Sequence, residues 1–239
     1  MLRALIFDVD GTLAETEEVH RQAFNATFAA SGLGWQWSPE DYTRLLRTTG
    51  GKERMRSYRQ EIGAARPTDA EIAELHAAKT ERYAGMIAAG GLALRPGVRE
   101  LVAGARRSGL RLAIATTTNR PNVDSLCAAC WGQPAEALFE VIAAGDEVSR
   151  KKPAPDVYTL ALERLRIAPE QAVALEDSRN GLLSAQGAGI ATLAVPSSFT
   201  GAEDFSEAQW RADSYQSADL PDFLRDVVAA SNQPARTSA

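Results

Sequence analysis

Two aspartates one residue apart, Asp8 and Asp10, are the first residues of this chain whose type and spacing could do chemistry. They follow Leu2-Arg3-Ala4-Leu5-Ile6-Phe7, an apolar run too short for a core helix, and lead into a Gly11-Thr12 turn. That pattern reads as a strand buried on both faces, as in a parallel sheet. Side chains alternate along a strand, so both carboxylates can project from one side of its carboxyl end, where open α/β sheets bind ligands. With a divalent cation between them, one can act as nucleophile and the other as proton donor and acceptor. Taken alone, D-x-D-G is also an ordinary polar turn after a core strand. The residues downstream separate the two readings.

The elements that would position these acids fall into two blocks. From Glu15 to about Gly91 every periodic segment is helical. Glu17 to Ala30 carries Val19, Ala23, Phe24, Ala26 and Phe28, and Ser31-Gly32 stops it. Ser38-Pro39-Glu40 starts a second helix with a cap residue and a proline at the first position. Thr48-Thr49-Gly50-Gly51 breaks that helix, and Lys52 opens a third towards Ile62. Thr68-Asp69-Ala70-Glu71 is a capping box for a long fourth helix ending near Ala89-Gly90-Gly91. From Leu94 strands and helices alternate: strands at Leu110 to Ala115, Val141 to Ala144, Ala172 to Leu175 and Ile190 to Val195, with helices between. Such alternation specifies a parallel sheet covered by helices on both faces. The expected architecture is an α/β core over residues 1–13 and 93–230, with an all-helical insertion over 14–92 that can close over the strand ends and exclude water. The polar segment 231–239 has no apolar pattern and reads as a disordered tail.

Phe7-Asp8-Val9-Asp10-Gly11-Thr12-Leu13 resembles the signature of the haloacid dehalogenase superfamily, whose members mostly cleave phosphate esters through an aspartyl-phosphate. The other three motifs of that superfamily have counterparts in order. Thr116, ending the second strand, sits where the superfamily places a Ser or Thr that holds a phosphate oxygen. Lys152-Pro153-Ala154-Pro155 looks like its K-P-x-P segment. A carboxylate attacking a phosphate dianion faces repulsion of roughly 4 kcal/mol per charge pair at about 4 Å in an effective dielectric near 20, which a fixed ammonium must help offset. Lys151, by position, reads as solvated. Leu175-Glu176-Asp177-Ser178 supplies two acids at a third strand end. The resemblance implies Mg²⁺ as cofactor, held by Asp8, the backbone carbonyl of Asp10 and Asp177, with Glu176 on a metal-bound water.

The helical block should decide the substrate. Gly50-Gly51-Lys52-Glu53-Arg54 combines a glycine turn, exposed N–H groups at a helix start and two cations, which suits an anion. Glu17 and His20 begin the first helix; His76, Lys79 and Arg82 lie on the fourth. Thr117, Thr118, Asn119 and Arg120, beyond Thr116, can also face the cleft. The phrases A-E-T-E-E, T-T-G-G-K-E-R and E-D-S-x-N-G are similar to those of the CbbY group of the superfamily. That resemblance implies a sugar-bisphosphate phosphatase of the Calvin–Benson pathway, removing the C1 phosphate of xylulose 1,5-bisphosphate, an inhibitor of Rubisco. A β-phosphoglucomutase-like mutase or a broad sugar-phosphate or phosphoglycolate phosphatase are the alternatives.

Composition narrows the partners. With 239 residues, 45% hydrophobic and 24% charged, the chain can bury a sizeable core. Its net charge of −5 offers no general basic surface to nucleic acid or anionic membrane. No apolar run approaches the roughly 18 residues of a membrane span, and no signal-peptide pattern opens the chain. A cytoplasmic monomer that acts on a small phosphosugar, with no protein partner, is the expectation. Cys127 and Cys130 lack a second pair or a nearby His to complete a zinc site and read as incidental thiols.

Overall fold

The structure, a computed structural model, describes residues 1–216 and 218–231. The expected tail therefore lies, from residue 232 on, outside the described residues. Strand β1 (Ala4–Phe7) is followed by α1 (Glu17–Ala30), α2 (Pro39–Leu45), α3 (Gly51–Glu61) and α4 (Asp69–Ala88). Then come α5 (Val98–Arg107), β2 (Arg111–Ala115), α6 (Arg120–Trp131), α7 (Ala135–Leu138) and β3 (Val141–Ala143). The chain continues with α8 (Asp156–Leu165), β4 (Ala172–Glu176), α9 (Arg179–Gly187), β5 (Ala191–Ala194), β6 (Trp210–Arg211) and α10 (Asp222–Ala230).

The six strands form one sheet in the order β3-β2-β1-β4-β5-β6, every neighbouring pair parallel. Strand β1 is central, and its alternation decides where the acids go. Leu5, Phe7 and Val9 enter the core layer shared with α5, α6 and α10. Ala4 and Ile6 enter the layer shared with α8 and α9. Asp8 falls on the second side and, with no strand beyond Phe7 to bury it further, emerges at the carboxyl end of the sheet.

Helices α1 to α4 pack around an aromatic cluster of their own, built from Phe24, Phe28, Trp37, Tyr42, Leu45, Met55 and Ile72. Helices α2 and α4 begin in full capping boxes at Ser38 and Thr68, as their sequences require. The two chain crossings into this block lie side by side: Ala14 bridges Leu94, and Arg95 N–H donates to Leu13 O at 2.9 Å. The buried Arg95 guanidinium ties the crossings to the sheet through the carbonyl oxygens of Gly11, Val195 (2.7 Å) and Pro196 (2.7 Å). Helix α7 and the two-residue β6 are too short to register in sequence periodicity, whereas α10 carries Phe223, Leu224, Val227 and Val228 at helical spacing between charged residues. No helix of the described residues is long and apolar enough to cross a membrane. Cys127 is buried and Cys130 partly so; both are free, and burial pushes the Cys127 thiol up to about 12, so it stays protonated and inert.

Candidate active site

Three strand ends converge at one spot. Asp8 follows β1, Thr116 follows β2, Glu176 ends β4 and Asp177 follows it; all four are buried. Lys152, from the loop before α8, reaches in and donates to Asp8 Oδ1 at 2.7 Å and Glu176 Oε1 at 2.6 Å. Burial works against a charged lysine here, but the two carboxylates outweigh it and hold the ammonium well above its usual range. Tyr158 donates a further 2.6 Å bond to Glu176 Oε1.

Asp8, Glu176 and Asp177 each offer a carboxylate oxygen within 4.8 Å of the others. Burial, with the neighbouring acids adding to it, pushes Asp8 up to about 7 despite Lys152, and pushes Asp177 well up for the same reasons. One lysine does not balance three buried acids, and Glu176 Oε2 has no hydrogen-bond partner. An excess of anionic oxygen in a dry pocket fits a hard divalent cation. Two glycines make the cluster sterically feasible. A Cβ at Gly11, whose φ is +79°, would overlap the Asp177 carboxylate, and one at Gly181 in α9 would overlap that of Glu176.

Asp10 belongs to a different network. Its Oδ1 accepts from Thr16 Oγ1 at 2.6 Å and pairs with His20 Nε2 at 2.9 Å. Burial would raise its pKa, yet His20, Thr16 and Lys79 together hold it well below the usual carboxylate range. His20 Nδ1 meets Lys79 Nζ, and the Tyr83 ring stacks on His20 at 4.0 Å. Burial brings Lys79 down to about 7 and lowers His20 as well.

The cleft above these groups is closed by the helical block. It is lined from the sheet side by Asp8, Asp10, Thr116, Thr117, Thr118, Asn119, Lys152 and Asp177, and from the helices by Glu17, His20, Gly50, Gly51, Lys52, Glu53, Arg54, His76 and Lys79. Gly50 is the N-cap of α3 and Gly51 its first residue, with the His76 ring seated against Gly51. Burial, with Lys79 and Lys52 nearby, takes His76 down to about 3. Contacts across the seam join the two sides: Thr49 Oγ1 to Lys152 O, Lys52 Nζ to Asp146 at 3.3 Å, Asn180 Nδ2 to Arg47 O at 3.1 Å, and Asn119 Nδ2 to Thr80 Oγ1 at 3.2 Å.

Several expectations need correction. Arg120 does not line this cleft: it opens α6 and pairs with Asp124 one turn on and with Glu136, which draw it aside. The spacing on α4 leaves Arg82 open to either the cleft or solvent, and it is exposed because Tyr83 takes the inward position on that turn. Lys151 is not solvated; it is mostly buried, donates to the carbonyl oxygens of Gly145 and Val148, and lines the cleft. Glu176 is fully buried; its Oε1 accepts from Lys152 and Tyr158, while its Oε2 has no partner among the described residues. The Asp10 side chain lies outside the acidic cluster, which agrees with the expectation that Asp10 offers a metal only its backbone carbonyl. Sequence reasoning missed Thr16, Tyr158, Ser197 and Thr200. Thr200 Oγ1 donates to Asp177 O at 2.6 Å, and Ser197 bonds to Thr200. Thr16 lies within the A-E-T-E-E phrase six residues after Asp10, whereas Tyr158, Ser197 and Thr200 meet the site only through the fold.

A family model for haloacid dehalogenase-like hydrolases matches residues 2–189. Protein CbbY of Rhodobacter capsulatus is 63% identical over 210 residues, 88% of this chain and 92% of its own. Protein CbbY of Cereibacter sphaeroides is 55% identical over 216 residues, 90% of this chain and 93% of its own. The crystal structure of CbbY from Rhodobacter sphaeroides in complex with phosphate aligns with a TM-score of 0.86 at 54% identity, covering 90% of this chain and 95% of that one. The D10N mutant of the same protein, in complex with xylulose 1,5-bisphosphate, gives 0.86 at 53% identity over the same shares. A sheet that gathers Asp8, Thr116, Lys152 and Asp177 at its carboxyl edge, and relatives this similar over most of the chain, lead to one assignment: the chain belongs to the haloacid dehalogenase-like hydrolases, in their CbbY group.

Proposed function

We propose that this hydrolase is a Mg²⁺-dependent sugar-bisphosphate phosphatase that removes the C1 phosphate of xylulose 1,5-bisphosphate through an aspartyl-phosphate on Asp8. One observation carries the reading: a single cleft joins the Asp8–Lys152 pair of the sheet to Lys52, Arg54, His76 and Lys79 of the helical block. A substrate with one phosphate at Asp8 and a second under the helices uses both sets, and binding at the remote end positions the reacting end. The bisphosphate held by the CbbY mutant of Rhodobacter sphaeroides supports the same choice. In this reading residues 14–92 act as a cap that opens to admit substrate.

Asp8 Oδ attacks phosphorus in line with the departing sugar oxygen, which Asp10 protonates. Asp10 then takes a proton from the water that hydrolyses the aspartyl-phosphate. Before substrate arrives His20, Thr16 and Lys79 hold Asp10 ionised, and the negative charge of the bound phosphate raises its proton affinity, so that it can carry a proton in the first step and take one in the second. Lys152 and Thr116, with the N–H groups that follow, stabilise the equatorial oxygens. Asp8 and Asp177, with the Asp10 carbonyl, would hold the cation, which when bound neutralises phosphate charge and keeps Asp8 ionised.

The test is phosphate release with Mg²⁺ across xylulose 1,5-bisphosphate, ribulose 1,5-bisphosphate, β-glucose 1-phosphate and phosphoglycolate. A strong preference for the first over its epimer is expected. Conversion of β-glucose 1-phosphate to the 6-phosphate in the presence of a bisphosphate primer would instead make it a mutase, and slow, even hydrolysis of all four would overturn the substrate assignment.

A further inference from the structure

We propose that Tyr42 is a positioning residue that fixes the Glu17 carboxylate to recognise hydroxyl groups on the sugar chain of the substrate. The inference rests on the sugar-phosphate reading above and deepens it.

A carboxylate in a cleft built for phosphates needs a reason, because it repels the ligand. Glu17 stands on the first turn of α1 and lines the cleft beside Asp10 and His20. It makes one hydrogen bond among the described residues: Tyr42 Oη donates to Glu17 Oε2 at 2.9 Å. An ionised carboxylate only accepts, so what Glu17 can take from a ligand is a donor, and a sugar hydroxyl is the donor a phosphosugar carries.

Tyr42 is built to hold that geometry. It is fully buried on α2, packed between Trp37 (6.0 Å), Phe24 (6.4 Å) and, from the sheet side, Phe199 (6.0 Å, interplanar angle 85°). Its phenol oxygen accepts from Arg54 Nη1 at 2.8 Å, and the guanidinium carbon lies 4.9 Å from the Tyr42 ring centroid. Arg54 is itself buried and donates to Thr48 O at 3.3 Å. The chain Arg54, Tyr42, Glu17 therefore runs donor to acceptor in one direction. Each bond polarises the next and carries part of the arginine charge to Glu17. The phenol stays protonated, since burial pushes its pKa well up. With Oε2 pinned, the remaining valence of Glu17 is held at a fixed angle to the cleft. A phosphate ester without hydroxyls gains nothing from it.

Tyr42→Phe keeps the ring and its packing and removes only the hydroxyl. The experiment compares kcat/KM for xylulose 1,5-bisphosphate with that for p-nitrophenyl phosphate in wild type, Tyr42→Phe, Glu17→Gln and the double variant. The ratio is expected to fall about tenfold or more in Tyr42→Phe, the scale of one charge-assisted hydrogen bond. The double variant should be no worse than Glu17→Gln alone, because the two residues act as a unit. Glu17→Asp keeps the charge but draws the carboxylate back from Tyr42; it predicts the same loss and serves if Tyr42→Phe does not fold. Equal losses on both substrates, or a ratio that survives Tyr42→Phe, overturn the inference alone. A wild type with no preference for the sugar substrate overturns the sugar-phosphate reading and the inference with it.

Discussion

Lys152 answers two buried acids at once, which makes it the residue whose loss should be felt most. Lys152→Ala would leave Asp8 and Glu176 facing each other without their shared cation, and breaking a buried pair in this way costs about 3–5 kcal/mol. Urea denaturation of the metal-free protein should show that loss together with abolished turnover; an unchanged midpoint would mean the ammonium is not compensating the acids. His76 gives a pH signature of the opposite kind. Below its ordinary value of 6.5 the unfolded chain takes up a proton that the folded chain refuses until about pH 3, so stability falls as pH falls through that window. By pH 5 the loss from this group reaches up to about 2 kcal/mol. His76→Gln should flatten the decline of the denaturation midpoint between pH 7 and 5, and an identical slope would remove His76 from it. Asp8, Asp10, Lys152 and Asp177 were legible in the sequence because each sits in a contiguous motif at a strand end. Tyr158 and Thr200 were not, since they approach Glu176 and Asp177 only through the fold. Arg120 was misread for a related reason: its spacing admits the cleft, but Asp124 and Glu136 compete for it.

At the scale of elements, the fit of α9 against the end of β4 depends on Gly181. A Cβ there would strike the Glu176 carboxylate, and the helix backbone has no room to yield without disturbing Ser178, whose side chain caps α9. Gly181→Ala should therefore depress both the melting temperature and kcat, whereas Gly34→Ala, placed where an added Cβ meets nothing and the backbone is not left-handed, should leave both nearly unchanged. Equal kcat values for the two variants would contradict the packing argument. Helix and strand order was legible from periodicity and punctuation, with bounds displaced by a residue or so at most ends, as at α3, which starts at Gly51 rather than Lys52. The seam between helices and sheet was not legible, because Thr49, Asn119 and Asn180 carry no pattern that names their partners across it.

The whole molecule concentrates negative charge at the centre of its sheet. A divalent cation bound by the native state alone should stabilise it by about 2.7 kcal/mol at a concentration a hundredfold above Kd. For a chain of this size that corresponds to a rise in Tm of roughly 5–10 °C. Calorimetry with Mg²⁺ and with a chelator should show the rise, and Asp177→Asn should abolish it; a Tm indifferent to Mg²⁺ in both proteins would mean the acidic cluster is not a metal site.

The most direct test of the account is phosphorus NMR of xylulose 1,5-bisphosphate incubated with the wild-type protein and with Asp8→Asn. Loss of the C1 phosphate resonance, growth of inorganic phosphate and retention of the C5 phosphate are expected in the wild type, with no change in Asp8→Asn. Release from C5, no release, or equal release by the variant would contradict it.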